Sequence, residues 1–174
     1  MTTNSPSTRP RALSSLSITV PKPTFTKMDP SVLSAMLSQE DVVVVDVRDD
    51  DYLGGAIKGS IRLPFSEFEG KVDDLVKQLI KDKKETVVFY CMFSQQRAPT
   101  CASTFVDAAT QLESNNIKVY VLSGGFHLWL KTFSDSEQGS ADATYVQDFD
   151  RNYWKFDPVS STLFHKEDVH FLPE

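Results

Sequence analysis

Thr86-Val87-Val88-Phe89-Tyr90-Cys91-Met92-Phe93-Ser94-Gln95-Gln96-Arg97-Ala98-Pro99 is the stretch on which the fold turns. Its first five residues, 86–90, form a β-branched and aromatic run without polar alternation, as expected of a strand buried on both faces of a parallel sheet. Ser94, Gln95 and Gln96 then make a polar loop. From Ala98 or Pro99 onward a helical period takes over, with Ala102, Phe105, Val106, Ala109 and Leu112 on one face. The alternation continues on both sides. Upstream lie a second strand-like run, Val42 to Val47, and a helix carrying Val72, Leu75, Val76, Leu79 and Ile80. Downstream lie a third strand, Val119 to Leu122, and a last helix, Phe126 to Phe133, after Gly124-Gly125. Asp29-Pro30, with Val32, Leu33, Met36 and Leu37, predicts a short first helix with Asp29 as N-cap and proline in its first turn. Alternating strands and helices predict an α/β fold with a central parallel sheet flanked by helices on both faces.

The 174 residues suffice for one compact domain, and 40% hydrophobic with 24% charged residues is a globular composition. A disordered N-terminal arm is expected over 1–28: it is rich in Ser, Thr and Pro and carries Arg9, Arg11, Lys22 and Lys27. The ordered domain is expected over 29–133. From 134 to 174 the tail is first polar and then aromatic (Tyr145, Phe149, Tyr153, Trp154, Phe156), which predicts an extension docked on the domain. A net charge of −6 argues against nucleic acid and anionic membranes as partners. No apolar run approaches the ~20 residues of a spanning helix. The expected localisation is cytoplasmic and nuclear. The acid-free, Arg- and Ser-containing start offers mitochondrial targeting as the alternative, against which Pro6, Pro10, Pro21 and Pro23 limit an amphipathic helix.

Cys91 stands at the carboxyl end of a buried strand, the edge where open α/β sheets bind ligands, and Arg97 stands at the start of the following helix. Successive main-chain N–H groups in such a loop can form an anion nest, and the helix adds roughly half a positive charge at its N-terminus. Arg97 adds a planar fork suited to an oxyanion, and the same field favours the thiolate, the nucleophilic form of Cys91. The bland alternative is a small core cysteine followed by an unrelated surface arginine. The polar loop between two apolar elements weighs against that.

Cysteine, five residues and arginine in this setting resemble the phosphate loop of cysteine-dependent phosphatases, in particular the rhodanese-fold branch. That branch comprises M-phase inducer dual-specificity phosphatases, their small single-domain relatives and related arsenate reductases. Val45-Asp46-Val47-Arg48 with Tyr52, Gly55, Ile57, Gly59 and Pro64 is similar to the family's strand-end and turn, and Leu122-Ser123-Gly124-Gly125-Phe126 with Trp129 to its last turn and helix. The resemblance implies Cys91 as nucleophile, Arg97 as oxyanion ligand, and Met92, Phe93, Ser94, Gln95 and Gln96 as the substrate-binding loop. It departs from the family at Tyr90, where these phosphatases usually have His, at Ala56 and at Ala98. Sulfur-transferring rhodaneses typically have one loop residue fewer, and the larger ring suits a tetrahedral phosphate or arsenate.

The expected partner is therefore a phosphorylated protein or a small phosphate or arsenate oxyanion. No cofactor or metal is expected; glutathione enters only as co-substrate of the arsenate-reductase alternative. A sulfurtransferase and a non-catalytic phosphopeptide-binding module are the further alternatives. Asp49, Asp50, Asp51, Glu67 and Glu69 are the acids from which a proton donor could come, although a solvated acidic turn is the better expectation for them. Asp46 and Arg48 are expected to support the site, Asp46 by accepting hydrogen bonds from a neighbouring loop or by pairing with Arg48. Cys101, about one helical turn after Arg97, is the candidate resolving thiol for an oxidised Cys91.

Overall fold

The computed structural model describes residues 24–113, 116–135, 140–157 and 162–165. In chain order the elements are β1 (Thr26–Met28), α1 (Pro30–Met36), β2 (Val42–Asp46), β3 (Ala56–Ile57), β4 (Ile61–Arg62), α2 (Phe65–Lys81), β5 (Thr86–Tyr90), α3 (Arg97–Gln111), β6 (Lys118–Leu122) and α4 (Gly125–Phe133). After them come β7 (Ser134–Asp135), β8 (Ser140–Ala141), β9 (Val146–Gln147), β10 (Trp154–Asp157) and β11 (Thr162–His165). The main sheet has five strands in the order β1-β6-β5-β2-β4, all pairings parallel, so β5 with its Thr-Val-Val-Phe-Tyr run is the central strand.

The absence of alternation is explained by helices on both sides. Val45, Val47, Val87, Phe89, Cys91, Val119 and Val121 face α2 and α3, whereas Val44, Val88, Tyr90, Met92 and Leu122 face α1 and α4. Successive strand residues point to opposite faces, so both sets had to be apolar. On one side Phe89 meets Phe68 and Phe105, each at 5.5 Å between ring centroids. On the other, Trp129, Phe133 and Tyr145 form an aromatic trio.

Two expectations change. Residues 26–28 are not part of an arm: they pair with Tyr120, Val121 and Leu122 as the edge strand β1, so the ordered domain begins before Asp29. The rest of the predicted arm, residues 1–23, lies outside the described residues. Asp29 is the N-cap of α1 by its main chain only, its carbonyl receiving Val32 and Leu33 N–H while its carboxylate makes no cap bond.

The C-terminal extension lies on the domain. β9 pairs antiparallel with β3, Trp129 Nε1 donates to the Tyr145 carbonyl at 3.1 Å, and buried Trp154 donates to the Gly54 carbonyl at 2.7 Å. Gly54 permits that approach, since a Cβ there would stand 2.3 Å from the Tyr153 ring and 2.4 Å from Trp154 Nε1.

Candidate active site

β5 ends at Tyr90, and the chain turns through residues 91–96 into α3, whose first residue is Arg97. Cys91 continues the strand's alternation onto the α2/α3 side and is 4% exposed. Ser94 turns the loop with φ +51° and sends its hydroxyl back to accept the Cys91 N–H at 3.4 Å. The outer wall is α4. Its Phe126 N–H donates to the Cys91 carbonyl at 3.0 Å and its His127 N–H to the Met92 carbonyl at 2.9 Å. In a planar trans peptide the carbonyl and the next N–H point in opposite directions. Drawing those two carbonyls toward α4 therefore aims the Met92 and Phe93 N–H groups away from it. Among the described residues, the main-chain N–H groups of 92–97 donate to no protein acceptor. With the N-terminus of α3 they make an anion nest.

Gly125 makes this approach feasible. It lies at φ +59°, and a Cβ there would stand 2.3 Å from the Cys91 carbonyl oxygen and 2.6 Å from that of Met92. This close approach was not among the sequence expectations; the paired glycines before a short apolar helix were the available signal.

Beside the loop stands a buried ion pair. Arg48 and Asp46 are both 0% exposed. Arg48 Nη2 reaches Asp46 Oδ2 at 2.5 Å, its Nε lies 3.0 Å from both carboxylate oxygens, and its Nη2 also donates to the Gly55 carbonyl at 2.8 Å. Phe126, Tyr52 and Tyr90 surround the guanidinium at 4.2, 4.9 and 5.8 Å from their ring centroids. Burial alone would lower the arginine's pKa, but the bonds and charge of Asp46 outweigh it and the net shift is upward. Both ends of the turn from Arg48 to Gly55 are thereby fixed.

That turn carries two acids to Arg97. Asp51 Oδ1 accepts from Arg97 Nη1 at 2.7 Å and Oδ2 from Nη2 at 2.5 Å, while Asp49 Oδ2 lies 3.3 Å from Nη1. The Asp51 bonds are the largest cause of a raised Arg97 pKa. Burial would raise the carboxyl of Asp51, but the hydrogen bonds and charge of Arg97 hold it below the ordinary value. For Asp49, likewise, burial is outweighed by bonds from Ser66 and Arg97. The expectation of solvated acids therefore fails for these two and fits Asp50, Glu67 and Glu69, which are exposed. Glu67 pairs with Lys71 along α2, and exposed Glu69 lines a separate groove with Phe65, Thr100 and Cys101.

The five predicted loop residues divide. Met92 is packed among Tyr90, Leu122 and Phe126 in the core, so its side chain is not directed at a substrate. Buried Ser94 braces the loop, and the side chains of Phe93, Gln95 and Gln96 are exposed, with Phe93 5.2 Å from His127 ring to ring. Phe93, Ser94, Gln95, Pro99, Ser123, Gly124 and Lys27 line a cavity of about 350 Å³ beside the loop. Tyr90 points to the opposite face from Cys91, its hydroxyl receiving the Ile57 N–H at 3.2 Å and bonding Ser60 at 3.0 Å. Burial pushes that phenol well above its usual range. Cys101 is 1% exposed, and burial together with neighbouring Cys91 pushes its thiol up to about 12. At neutral pH it is a thiol, whereas thiol–disulfide exchange needs the thiolate. Among the described residues no group of three or more His, Cys, Asp or Glu side chains could hold a metal, and no helix is long and apolar enough to cross a membrane.

The family description Rhodanese-like domain matches residues 29–132. A CDC25-like phosphatase of Saccharomyces cerevisiae is 32% identical over 118 residues, covering 63% of this chain and 78% of that protein. A dual specificity phosphatase of Schizosaccharomyces pombe is 30% identical over 132 residues, 66% of this chain and 94% of its own length. Among solved structures, the arsenic and antimony (As-Sb) reductase of Leishmania major superposes with a TM-score of 0.62 at 28% identity, over 84% of this chain and 97% of that one.

Proposed function

The chain belongs to the rhodanese-like domain family, and from that premise we propose that it is a cysteine-dependent phosphatase of the protein-tyrosine and dual-specificity type. The observation that carries this reading is the loop itself: Cys91 at the end of the central strand, main-chain N–H groups over 92–97 that meet no acceptor among the described residues, and Arg97 opening α3. The Cys91 thiolate attacks phosphorus in line with the leaving oxygen, while the N–H groups and Arg97 hold the equatorial oxygens. The S–P bond forms as the P–O bond breaks, and water then cleaves the thiophosphoryl enzyme to inorganic phosphate.

The departing oxygen needs a proton. Asp49 and Asp51 are ionised by their contact with Arg97 and have none to give at neutral pH. The substrate monoanion supplies it in this reading, which favours substrates with acidic leaving groups such as phenols. The substrate class is a phosphorylated protein or a small phosphate ester, and neither metal nor cofactor takes part.

A second reading is favoured by the similarity to the Leishmania major reductase. In it Cys91 attacks arsenate, and two electrons from thiols such as glutathione reduce arsenic as arsenite leaves. Matched assays with an aryl phosphate, and with arsenate plus glutathione and glutaredoxin, test the two. Phosphate release without added thiol beyond that keeping Cys91 reduced supports the phosphatase. Glutathione-dependent arsenite formation with negligible phosphate release overturns it.

A further inference from the structure

An arginine offers five N–H donors in one plane. In Arg97, Asp51 takes one from each terminal nitrogen, and Asp49 takes the other from Nη1. What is left is Nε–H and the second Nη2–H, which lie parallel along one edge and form the two-pronged fork that matches two oxygens of a tetrahedral anion. Among the described residues no protein acceptor meets Nε.

Both acids are fixed from behind. Asp49 Oδ1 accepts the Ser66 N–H at the start of α2 at 2.9 Å, and Asp51 Oδ1 accepts the Asp49 N–H at 3.1 Å. The turn that carries them ends at Gly54 and Gly55, which are tied to Trp154 and to buried Arg48. A carboxylate that must swing aside for each substrate would gain nothing from so many restraints, whereas one that holds a guanidinium in a single orientation requires them.

We infer that Asp51, seconded by Asp49, is a positioning residue that turns the Nε–Nη2 edge of Arg97 toward the Cys91 loop, so that the oxyanion meets a preset fork. Asp51 acts through Arg97 and touches no substrate. The inference rests on the oxyanion-binding role of the loop proposed above, but not on turnover. The opposite role for the same contact is a plug, with Asp51 occupying Arg97 until an anion displaces it. The two roles differ in sign.

The test is a calorimetric titration of inorganic phosphate into reduced full-length protein, wild type, Asp51→Asn, Asp51→Glu and the exposed helix variant Asp73→Asn, with kcat and KM for an aryl phosphate measured in parallel. Asp51→Asn keeps the shape but loses the charge, and should weaken phosphate binding roughly tenfold, the scale of one charge-assisted hydrogen bond. It should lower kcat as well as raise KM, because the fork also serves the transition state. Asp51→Glu should recover part of both, and Asp73→Asn should match wild type. Should Asp51→Asn fold poorly by melting temperature, Asp51→Glu alone decides: its longer arm misplaces the fork and should still bind phosphate more weakly than wild type. Equal or tighter phosphate binding by a folded Asp51 variant overturns the inference. Asp51-dependent phosphate binding in a protein that turns over no aryl phosphate would refute the phosphatase and leave the positioning role standing.

Discussion

Replacing Gly125 by alanine separates the catalytic loop from the rest of the fold. The added Cβ would sit 2.3 Å from the Cys91 carbonyl oxygen, 2.6 Å from that of Met92 and 2.8 Å from the Met92 carbonyl carbon. All three are main-chain atoms that no rotamer change can move. Restoring even a 3.0 Å contact requires α4 and the loop to part by about 0.7 Å. That displacement strains the Phe126 and His127 hydrogen bonds that aim the loop's N–H groups. A misplacement approaching 1 Å can cost on the order of 100-fold in rate.

Gly124 is the matched control, with φ +66° against +59° for Gly125; the three atoms nearest its added Cβ would all belong to Leu128, the closest being Leu128 Cβ at 2.5 Å, so that clash lies within α4 and not against the main chain of the loop. Each alanine in the left-handed region costs ~1–2 kcal/mol. For a chain of this size that lowers Tm by roughly 2–8 °C. The assay is kcat/KM for an aryl phosphate with a thermal melt of each variant. The expected result is a Tm loss in both variants, each from its positive φ and its clash, with about 100-fold lower kcat/KM for Gly125→Ala and little loss for Gly124→Ala. Wild-type kcat/KM in Gly125→Ala, or an equal loss in both, would refute the link between the glycine contact and the loop's geometry.

Iodoacetate at pH 7 should modify Cys91 and spare Cys101, whose thiol is buried and pushed up to about 12, and phosphate should protect Cys91; equal labelling of both by peptide mass spectrometry would contradict this. Arg48→Ala leaves Asp46 a buried, unpaired charge and should cost ~3–5 kcal/mol in denaturant unfolding. Trp154→Ala should cost ~3–5 kcal/mol, and a negligible change would show that the extension does not stabilise the domain. The Asp51 carboxyl is lowered in the folded state, so its contribution is present above the ordinary carboxylate value of ~3.9 and is lost as pH falls through the folded value. The stability difference between wild type and Asp51→Asn should therefore persist from neutral pH to about 4 and shrink below it.

The long elements were legible because each is decided locally. A β-branched run such as Val42–Asp46 or Thr86–Tyr90 must be covered on both faces, and the period of Val72, Leu75, Val76 and Leu79 fits only a helix. Cys91 and Arg97 were legible for the same reason, since one loop spans both. β1 was not, because Thr26–Met28 continues a polar stretch and is ordered only by pairing with β6. The role of the acidic turn was equally hidden. Asp51 lies 46 residues from Arg97, and nothing in the run Asp49-Asp50-Asp51 distinguishes the two that face the arginine from the one that faces solvent. Their separation follows from the buried Arg48–Asp46 pair, which sets the direction in which the turn leaves β2. Trp154 and Gly54, 100 residues apart, meet for reasons no local pattern carries.

Covalent phosphoryl transfer to Cys91 can be caught by a denaturing rapid quench of reduced enzyme with an aryl phosphate radiolabelled at phosphorus. Label should be bound to the peptide containing Cys91, appearing as fast as the burst of phenol and decaying at the steady-state rate without glutathione. No such label should form in Cys91→Ser, which should also lack turnover while retaining phosphate binding. Phenol release at an undiminished rate from Cys91→Ser, or turnover by wild type with no covalent label on that peptide, would contradict it.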